Sequence, residues 1–439
     1  MGRKGGTGDR VDRPALPAPP AVRPGFAVYH AVMRGRRLTA LLVIVAAVVG
    51  IAVIGRPFAR GLSFVVREGD VHGAVRKLAD ASVRRPSERP IEIDVSLPTI
   101  KTMTGRLYSP AGRPRRMVLL VSGFHPAGID EPRLVALARE LAASGMGVVT
   151  PEVPELSRFE MAPAITDRIE AAAVWLSKQA SSPDAAAGDG RIGLLGVSFG
   201  GGFAVVAAGR ASLRDRVAYV LSVGGHDDLP RVLRYLCLGA EARPPRQIRL
   251  PRATGADGET EQFSHRPDDY GVAIVLHGVA DRIVPRPQVA ALRAAVRRFL
   301  EALVLERDDR PRAEREIAAL RKLAARLPEP AATLLRYLND RDVVHLGARL
   351  LPYVRAYASD PALSPSRSPK AQAALFLLHG TEDHLIPSLE AEYLADQVRG
   401  QTPVRLLLTN VISHAGVDRT PRAGEVLELA GFWGDLLSR

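Results

Sequence analysis

The sequence predicts an α/β protein preceded by one transmembrane helix. Three observations carry this. Short apolar runs at Met117–Val121, Ile192–Leu195, Ala374–Leu378 and Val404–Leu408 end in turns or loops, with helical stretches between them. A long insertion with helical spacing separates two of these runs. Leu38 to Gly55 is an uninterrupted apolar segment of 18 residues without a charge.

In chain order, residues 1–37 carry eight Lys and Arg, including Arg34, Arg36 and Arg37, against Asp9 and Asp12. Residues 1–25 are rich in Gly, Pro and Arg and cannot pack, so a basic disordered tail is expected. The segment 38–55 would make about 27 Å of helix, close to the roughly 30 Å hydrocarbon core. The positive-inside bias puts the N-terminus in the cytoplasm and the rest of the chain on the far side. A cleaved signal peptide competes with this reading. Its shorter apolar core would be followed by a small-x-small site, where this chain has Arg56-Pro57-Phe58-Ala59-Arg60. Arg36-Arg37 hints at a twin-arginine signal, but Leu38-Thr39-Ala40 fits that pattern poorly. Myristoylation at Gly2 fails because residue 6 is Gly. Residues 56–89 read as a linker.

Ile192–Leu195 runs straight into Gly196-Val197-Ser198-Phe199-Gly200, and Ala-rich Phe203–Ala208 follows. That is a strand, a sharp turn and a helix, with a serine at the apex. Such a turn strains the serine backbone and tolerates no bulk nearby, a need met by Gly196 and Gly200 with Gly201 behind. The plain alternative is an idle serine in a Gly-rich turn. A nucleophilic serine also needs a base to take its proton and an acid to hold that base's tautomer, in chain order Ser, Asp, His on this type of sheet. Ala374–Leu378 reads as a buried strand leading into His379-Gly380-Thr381-Glu382-Asp383-His384-Leu385-Ile386-Pro387, which places Asp383 just past the strand end. A helical stretch, Ser388–Val398, and a strand, Val404–Leu408, lead to Ile412-Ser413-His414-Ala415-Gly416. His414 is the lone imidazole after the last strand.

With the turn at Ser198, the H-G-x-x-D-x-x-I-P turn at Asp383 and the S-H at His414, the chain resembles the α/β-hydrolase superfamily. Within it the likeness is to the serine esterase, dienelactone-hydrolase-like and prolyl-oligopeptidase-like branches. It runs from about Val118 to the C-terminus, interrupted by one large insertion. The resemblance implies a doubly wound, mostly parallel sheet flanked by helices, with Ser198 as nucleophile, His414 as general base and Asp383 as its orienting acid. Preorganised donors must meet the oxyanion of an acyl-transfer intermediate, usually the backbone N–H after the nucleophile and one from the loop after the third strand. Those are Phe199 and, in the loop Ser122–Gly128 after Met117–Val121, Phe124. The family usually opens this loop with His-Gly, where this chain has Ser122-Gly123, so the loop's geometry is an open point. His125 either lines the pocket or faces water.

Leu276–Pro285 nearly repeats Leu378–Pro387 and follows an apolar run, Val272–Val275. Asp281 is therefore a rival acid. Spacing favours Asp383, which precedes His414 by 31 residues where Asp281 precedes it by 133. Asp281 is then the turn residue of a strand in or beside the insertion. The sixth strand, Val217–Val223, is followed by about 150 residues before the acid-bearing strand, far more than a connection needs. Leu229–Leu238, Gln288–Leu305, Arg312–Leu327 and Ala331–Leu338 have helical spacing, so a largely helical cap is expected, which in this superfamily covers the pocket and sets substrate size. Leu292–Leu300 is basic and amphipathic, and reads as a solvated face over a packed one in preference to a membrane-docking surface. His226-Asp227-Asp228 reads as pocket lining, and no second ligand cluster accompanies it, so no metal is predicted.

The expected organisation is therefore tail 1–37, transmembrane helix 38–55, linker 56–89, core 90–228, cap 229–370 and core 371–439. The net charge of +13 comes from 54 Arg against 6 Lys. No zinc spacing, RNP-like aromatic motif or helix-turn-helix pattern accompanies it, so no nucleic acid is expected; a GC-rich coding sequence would also give this arginine excess, and anionic lipid headgroups beside a tethered domain are the more economical partner. The single Cys237 allows no intrachain disulfide. The resulting expectation is a membrane-anchored serine hydrolase that cleaves a small or lipid-like ester, thioester or amide through a covalent acyl-enzyme, without cofactor. The alternatives are a prolyl-oligopeptidase-like peptidase, for which the usual large N-terminal domain has no room, and a catalytically silent fold used as a binding scaffold.

Overall fold

The computed structural model describes residues 55–69, 73–81, 83–182, 189–239, 266–413, 416–417 and 422–439. The chain divides into two units, Met1–Arg56 and Pro57–Arg439, of which the second holds the sheet and its helices. The expected tail, the transmembrane run up to residue 54, residues 240–265 of the insertion and His414 lie outside the described residues. Among the described residues no helix is long and apolar enough to cross a membrane.

Eight strands form one sheet: β1 (Ser87–Asp94), β2 (Thr102–Ser109), β3 (Arg116–Val121), β4 (Met146–Pro151), β5 (Ile192–Val197), β6 (Val217–Val223), β7 (Ala374–Gly380) and β8 (Val404–Thr409). Their order is β1-β2-β4-β3-β5-β6-β7-β8, with β2 antiparallel to both neighbours and every pair from β4 to β8 parallel. The order turns back on itself around β3, as expected for a doubly wound sheet. Side chains alternate across it. Met117, Leu119 and Val121 enter one core while Val118 and Leu120 enter the other. A sheet buried on both faces needs apolar residues at every position, which is why these strands read as continuous apolar runs.

The first helices are α1 (residues 55–68), α2 (Ala74–Ala81), α3 (Pro132–Ala143), α4 (Pro154–Ser157), α5 (Ala164–Ala180) and α6 (Phe199–Ala208). The segment read as a linker therefore contains helix. Phe64 of α1 is fully buried, and Arg67 donates to Glu140 of α3 at 2.6 Å. The insertion contributes α7 (Leu229–Leu238), α8 (Asp269–Ile283), α9 (Arg286–Asp308), α10 (Arg310–Ala324), α11 (Ala331–Asn339) and α12 (Val343–Tyr357). Its apolar spacing marks four of these. On α9 the apolar face is buried through Leu292, Val296, Phe299 and Leu300, while Arg298 reaches Glu316 of α10 at 2.7 Å. The core closes with α13 (Leu389–Gln397) and α14 (Ala423–Leu436), whose Trp433 ring lies 4.2 Å from that of Phe64.

One expectation is corrected here. Val272–Val275 is not a strand but part of α8, and Asp281 lies near that helix's C-terminus. The Asp268 carboxylate caps the helix by accepting the Gly271 N–H at 3.0 Å. Residues Gly271 to Ala280 are all buried because α7, α9 and α12 pack around α8. A helix that is apolar on every side shows no amphipathic period, so over a few residues its sequence looks like a buried strand.

Candidate active site

β5 ends at Val197 and α6 begins at Phe199, which leaves Ser198 alone between them at φ 55° and ψ −137°. A positive φ costs a non-glycine residue on the order of 1–3 kcal/mol unless its surroundings enforce it. Here the Ser198 N–H donates to the Val223 carbonyl at 2.7 Å, and the Ser198 carbonyl accepts from the Gly201 N–H at 2.8 Å. No side chain fits at either flanking glycine. A Cβ on Gly196 would sit 2.2 Å from the Gly200 oxygen, and one on Gly200 would sit 2.2 Å from the Ser122 oxygen. The steric reading of G-x-S-x-G thus has its physical counterpart, and Ser198 remains partly exposed at the C-terminal edge of the sheet.

The loop after β3 comes up beside this serine. A Cβ on Gly123 would lie 2.9 Å from Ser198 Cβ and 3.4 Å from its Oγ. The loop therefore reaches the serine although it begins Ser122-Gly123. The Phe124 N–H has no backbone acceptor among the described residues. Phe199 opens α6, so its N–H is among those a helix leaves without an internal partner, at the positive end of the dipole. Phe124 is held by aromatic neighbours, with ring centroids 5.1 Å from Phe199 and 6.3 Å from both Phe159 and Phe203. His125 accepts the Ala127 N–H at 3.2 Å through Nδ1, so that nitrogen braces its own loop, and burial lowers its pKa.

β6 lies between β5 and β7, and the loop carrying Asp383 reaches across its end. Asp383 is buried, and its Oδ1 accepts the N–H groups of Leu385 at 2.9 Å and Ile386 at 3.0 Å. Its Oδ2 lies 3.5 Å from His379 Nε2 and 3.4 Å from where a Cβ on Gly224 would stand. Gly224 follows Val223, whose carbonyl holds Ser198, so Ser198 and Asp383 flank the same strand end. His414 is not described. The residues around it pair as a short antiparallel ladder, Ser413 with Gly416 and Ile412 with Val417. A Cβ on Gly380 would sit 2.1 Å from the Ile412 oxygen, so the glycine of the H-G pair lets this ladder close against β7. A small cleft beside Asp383 is lined by Tyr235, Thr381, Glu382 and Pro387–Leu389.

The rival acid is elsewhere. Asp281 is about half exposed on α8 and pairs with Arg293 of α9 at 2.7 Å, so a shared decapeptide adopts two unrelated structures. The His226-Asp227-Asp228 segment is also reassigned, from pocket lining to an internal latch. His226 is fully buried, meets the Leu363 carbonyl at 2.8 Å through Nε2 and packs on Phe199 and Phe203. Buried Glu390 of α13 accepts the Asp227 and Asp228 N–H groups at 2.8 and 2.9 Å and the Arg231 Nε at 2.5 Å. Asp227 accepts from Gln397 at 2.6 and 2.7 Å and from Arg231 at 3.1 Å. The latch ties α7 to α13 beneath the acid loop. Among the described residues no group of three or more His, Cys, Asp or Glu could hold a metal.

Burial, and next the neighbouring Glu390 charge, push the Asp227 carboxyl up from 3.8 to about 6. A carboxyl whose folded pKa is raised stabilises the fold fully below its unfolded pKa and loses that contribution as pH rises through the folded value. Asp227→Asn does not titrate. Its melting temperature relative to the wild type is therefore expected to climb between about pH 4 and pH 6 and then level off, a change on the order of 3 kcal/mol. Calorimetry of both chains across that range checks this, and a constant difference would contradict it.

Besides the latch, α8 and α12 of the cap meet core loops through polar contacts that the sequence does not reveal. The Tyr270 hydroxyl of α8 donates to the Phe124 carbonyl at 2.9 Å, His277 Nδ1 meets the Phe159 carbonyl at 3.2 Å, and the Met161 N–H donates to the Tyr357 hydroxyl at 3.2 Å. Burial and the guanidinium groups of Arg293 and Arg297 lower the His277 pKa to about 4, which keeps it neutral.

No protein-family model and no curated protein matches the chain. Solved structures similar to it include the acylaminoacyl peptidase of Pyrococcus horikoshii (13% identity, 78% of this chain and 40% of that one, TM-score 0.41). Others are a hyperthermophilic esterase from the archaeon Pyrobaculum calidifontis (18%, 76% and 79%, TM-score 0.39) and a dienelactone hydrolase from Anabaena variabilis (16%, 80% and 97%, TM-score 0.37). This chain thus spans well under half of the peptidase. At such identities and TM-scores the likeness bears on neither chemistry nor substrate, which rest on this chain's own residues.

Proposed function

We propose that this chain is a serine hydrolase that cleaves an ester, thioester or amide through a covalent acyl-enzyme on Ser198. The observation that carries the reading is the strained Ser198 backbone with the Gly123-Phe124 loop packed against it, because a strained, partly exposed serine with a loop and a helix N-terminus beside it is costly for a structural turn and useful for acyl transfer. In the proposed reaction His414 takes the Ser198 proton as Oγ attacks the acyl carbon. The Phe124 and Phe199 N–H groups receive the oxyanion, and Asp383 orients the imidazole. Collapse expels the leaving group with the proton from His414, and water attacking the acyl-enzyme by the same route restores the serine. No cofactor enters.

The test is direct. A fluorophosphonate probe should label Ser198, and p-nitrophenyl esters of graded chain length, run beside aminoacyl nitroanilides, should identify the acyl group. Failure of the probe to react with the wild-type chain would overturn the reading.

The 18-residue apolar run further supports a single-pass anchor, with the N-terminus cytoplasmic, the hydrolase domain on the far side and a lipid-like acyl substrate within reach. Mass spectrometry of membrane fractions is expected to find peptides from both sides of residues 38–55 in one chain. A soluble form beginning near residue 60 would point instead to a cleaved signal.

A further inference from the structure

Tyr270 is the second residue of α8, and its hydroxyl reaches out of the cap to the backbone of the loop beside Ser198. We propose that Tyr270 is a positioning residue for the hydrolysis: by holding the Phe124 carbonyl, it aims the Phe124 N–H at the oxygen of the acyl group under attack. The inference rests on the serine hydrolase reading. The Phe124 N–H and C=O belong to successive peptide planes, so fixing the second restricts rotation about the Phe124 backbone and with it the direction of the first. The residue before it, Gly123, can carry no side chain because Ser198 occupies that space, and a glycine leaves the loop free to turn. The ring contacts of Phe124 hold its side chain, and the Tyr270 hydroxyl supplies the hold on the main chain.

The anchor point is itself rigid. Asp268 caps α8, and the Tyr270 ring meets Phe159 edge-on at 6.1 Å. A Cβ on Gly271 would lie 2.4 Å from Leu236 of α7 and 3.2 Å from Leu385 of the acid loop. One turn of the cap thus touches the oxyanion loop and the acid loop together. Burial raises the Tyr270 pKa, so the hydroxyl stays protonated and remains a donor.

The test compares the full-length wild type with Tyr270→Phe and Tyr357→Phe. Each substitution deletes one hydroxyl between cap and core, but only Tyr270 touches the loop beside Ser198. The readouts are fluorophosphonate labelling, kcat and KM on an ester the wild type cleaves, affinity for a boronic acid that mimics the tetrahedral intermediate, and melting temperature. Tyr270→Phe should lower kcat about 10- to 100-fold, because a small misalignment of a reacting group has effects of that size. KM should stay within about threefold, since the interaction lost forms in the transition state. Boronate affinity should fall with kcat, and Tyr357→Phe should keep kcat within about threefold, with both variants folded. The inference is overturned by an unchanged kcat in Tyr270→Phe, by an equal loss in Tyr357→Phe, or by a Tyr270→Phe chain that does not fold, since the hydroxyl would then be holding the cap. A wild type that neither labels nor turns over would overturn the hydrolase reading itself.

Discussion

Ser198→Ala is expected to abolish fluorophosphonate labelling and to reduce ester turnover by about 10⁶-fold, the loss seen when a triad nucleophile is removed from a comparable site. The residual rate would come from substrate binding and the oxyanion donors alone. The fold should survive, because the turn is held by the Ser198 main chain and by the glycines around it, none of which the substitution alters. Alanine still carries a Cβ at positive φ, so the strain stays and stability should change little. Mass mapping of the probe in wild type and variant checks this. Labelling that persists in Ser198→Ala at another serine would move the nucleophile and remove the basis for the assignment.

The second large effect is expected at Asp383. Replacing the acid of a Ser-His-Asp triad by Asn leaves the geometry in place but stabilises the wrong imidazole tautomer, at a cost of roughly 10⁴ in kcat. Asp383→Asn should show a loss of that order with little change in melting temperature. Its Oδ1 accepts two backbone N–H groups that an amide oxygen can still satisfy. Asp281→Asn should lower kcat by less than about tenfold, since it removes only an exposed pair with Arg293, and such pairs contribute about 0–1 kcal/mol. Steady-state kinetics of the two variants side by side decide between the twin decapeptides, and the reverse order of effects would exclude Asp383.

Why those decapeptides differ shows where local sequence stops being informative. Both carry His-Gly and, three residues later, Asp, followed by Ile or Leu and Pro. In Leu378–Pro387 the apolar run before them finds parallel partners on both sides, β6 and β8, and becomes a strand. In Leu276–Pro285 the run is preceded by Asp268, which caps a helix, and is enclosed by α7, α9 and α12. Strand or helix is decided by which neighbours supply hydrogen bonds and apolar surface, and neither is encoded within ten residues. The helix 55–68 was unread for a related reason. Its buried residues, Gly61, Phe64, Val66 and Arg67, mix a glycine and an arginine with two apolar side chains, so the buried face does not read as an apolar stripe.

The strand-turn-helix at Ser198, the strand and turn leading to Asp383, four of the cap helices and the apolar run at 38–55 were legible in the chain, because each depends on sterics or periodicity that neighbouring residues settle. It took the packed fold to show that the loop opening Ser122-Gly123 still lies against Ser198, that Asp281 lies on a helix paired with Arg293, that His226-Asp227-Asp228 is a buried latch, and that Tyr270 ties the cap to the Phe124 carbonyl. Each of these depends on chain segments from roughly 30 to 160 residues apart meeting at one place, and that meeting is set by the packing of the whole sheet with its cap.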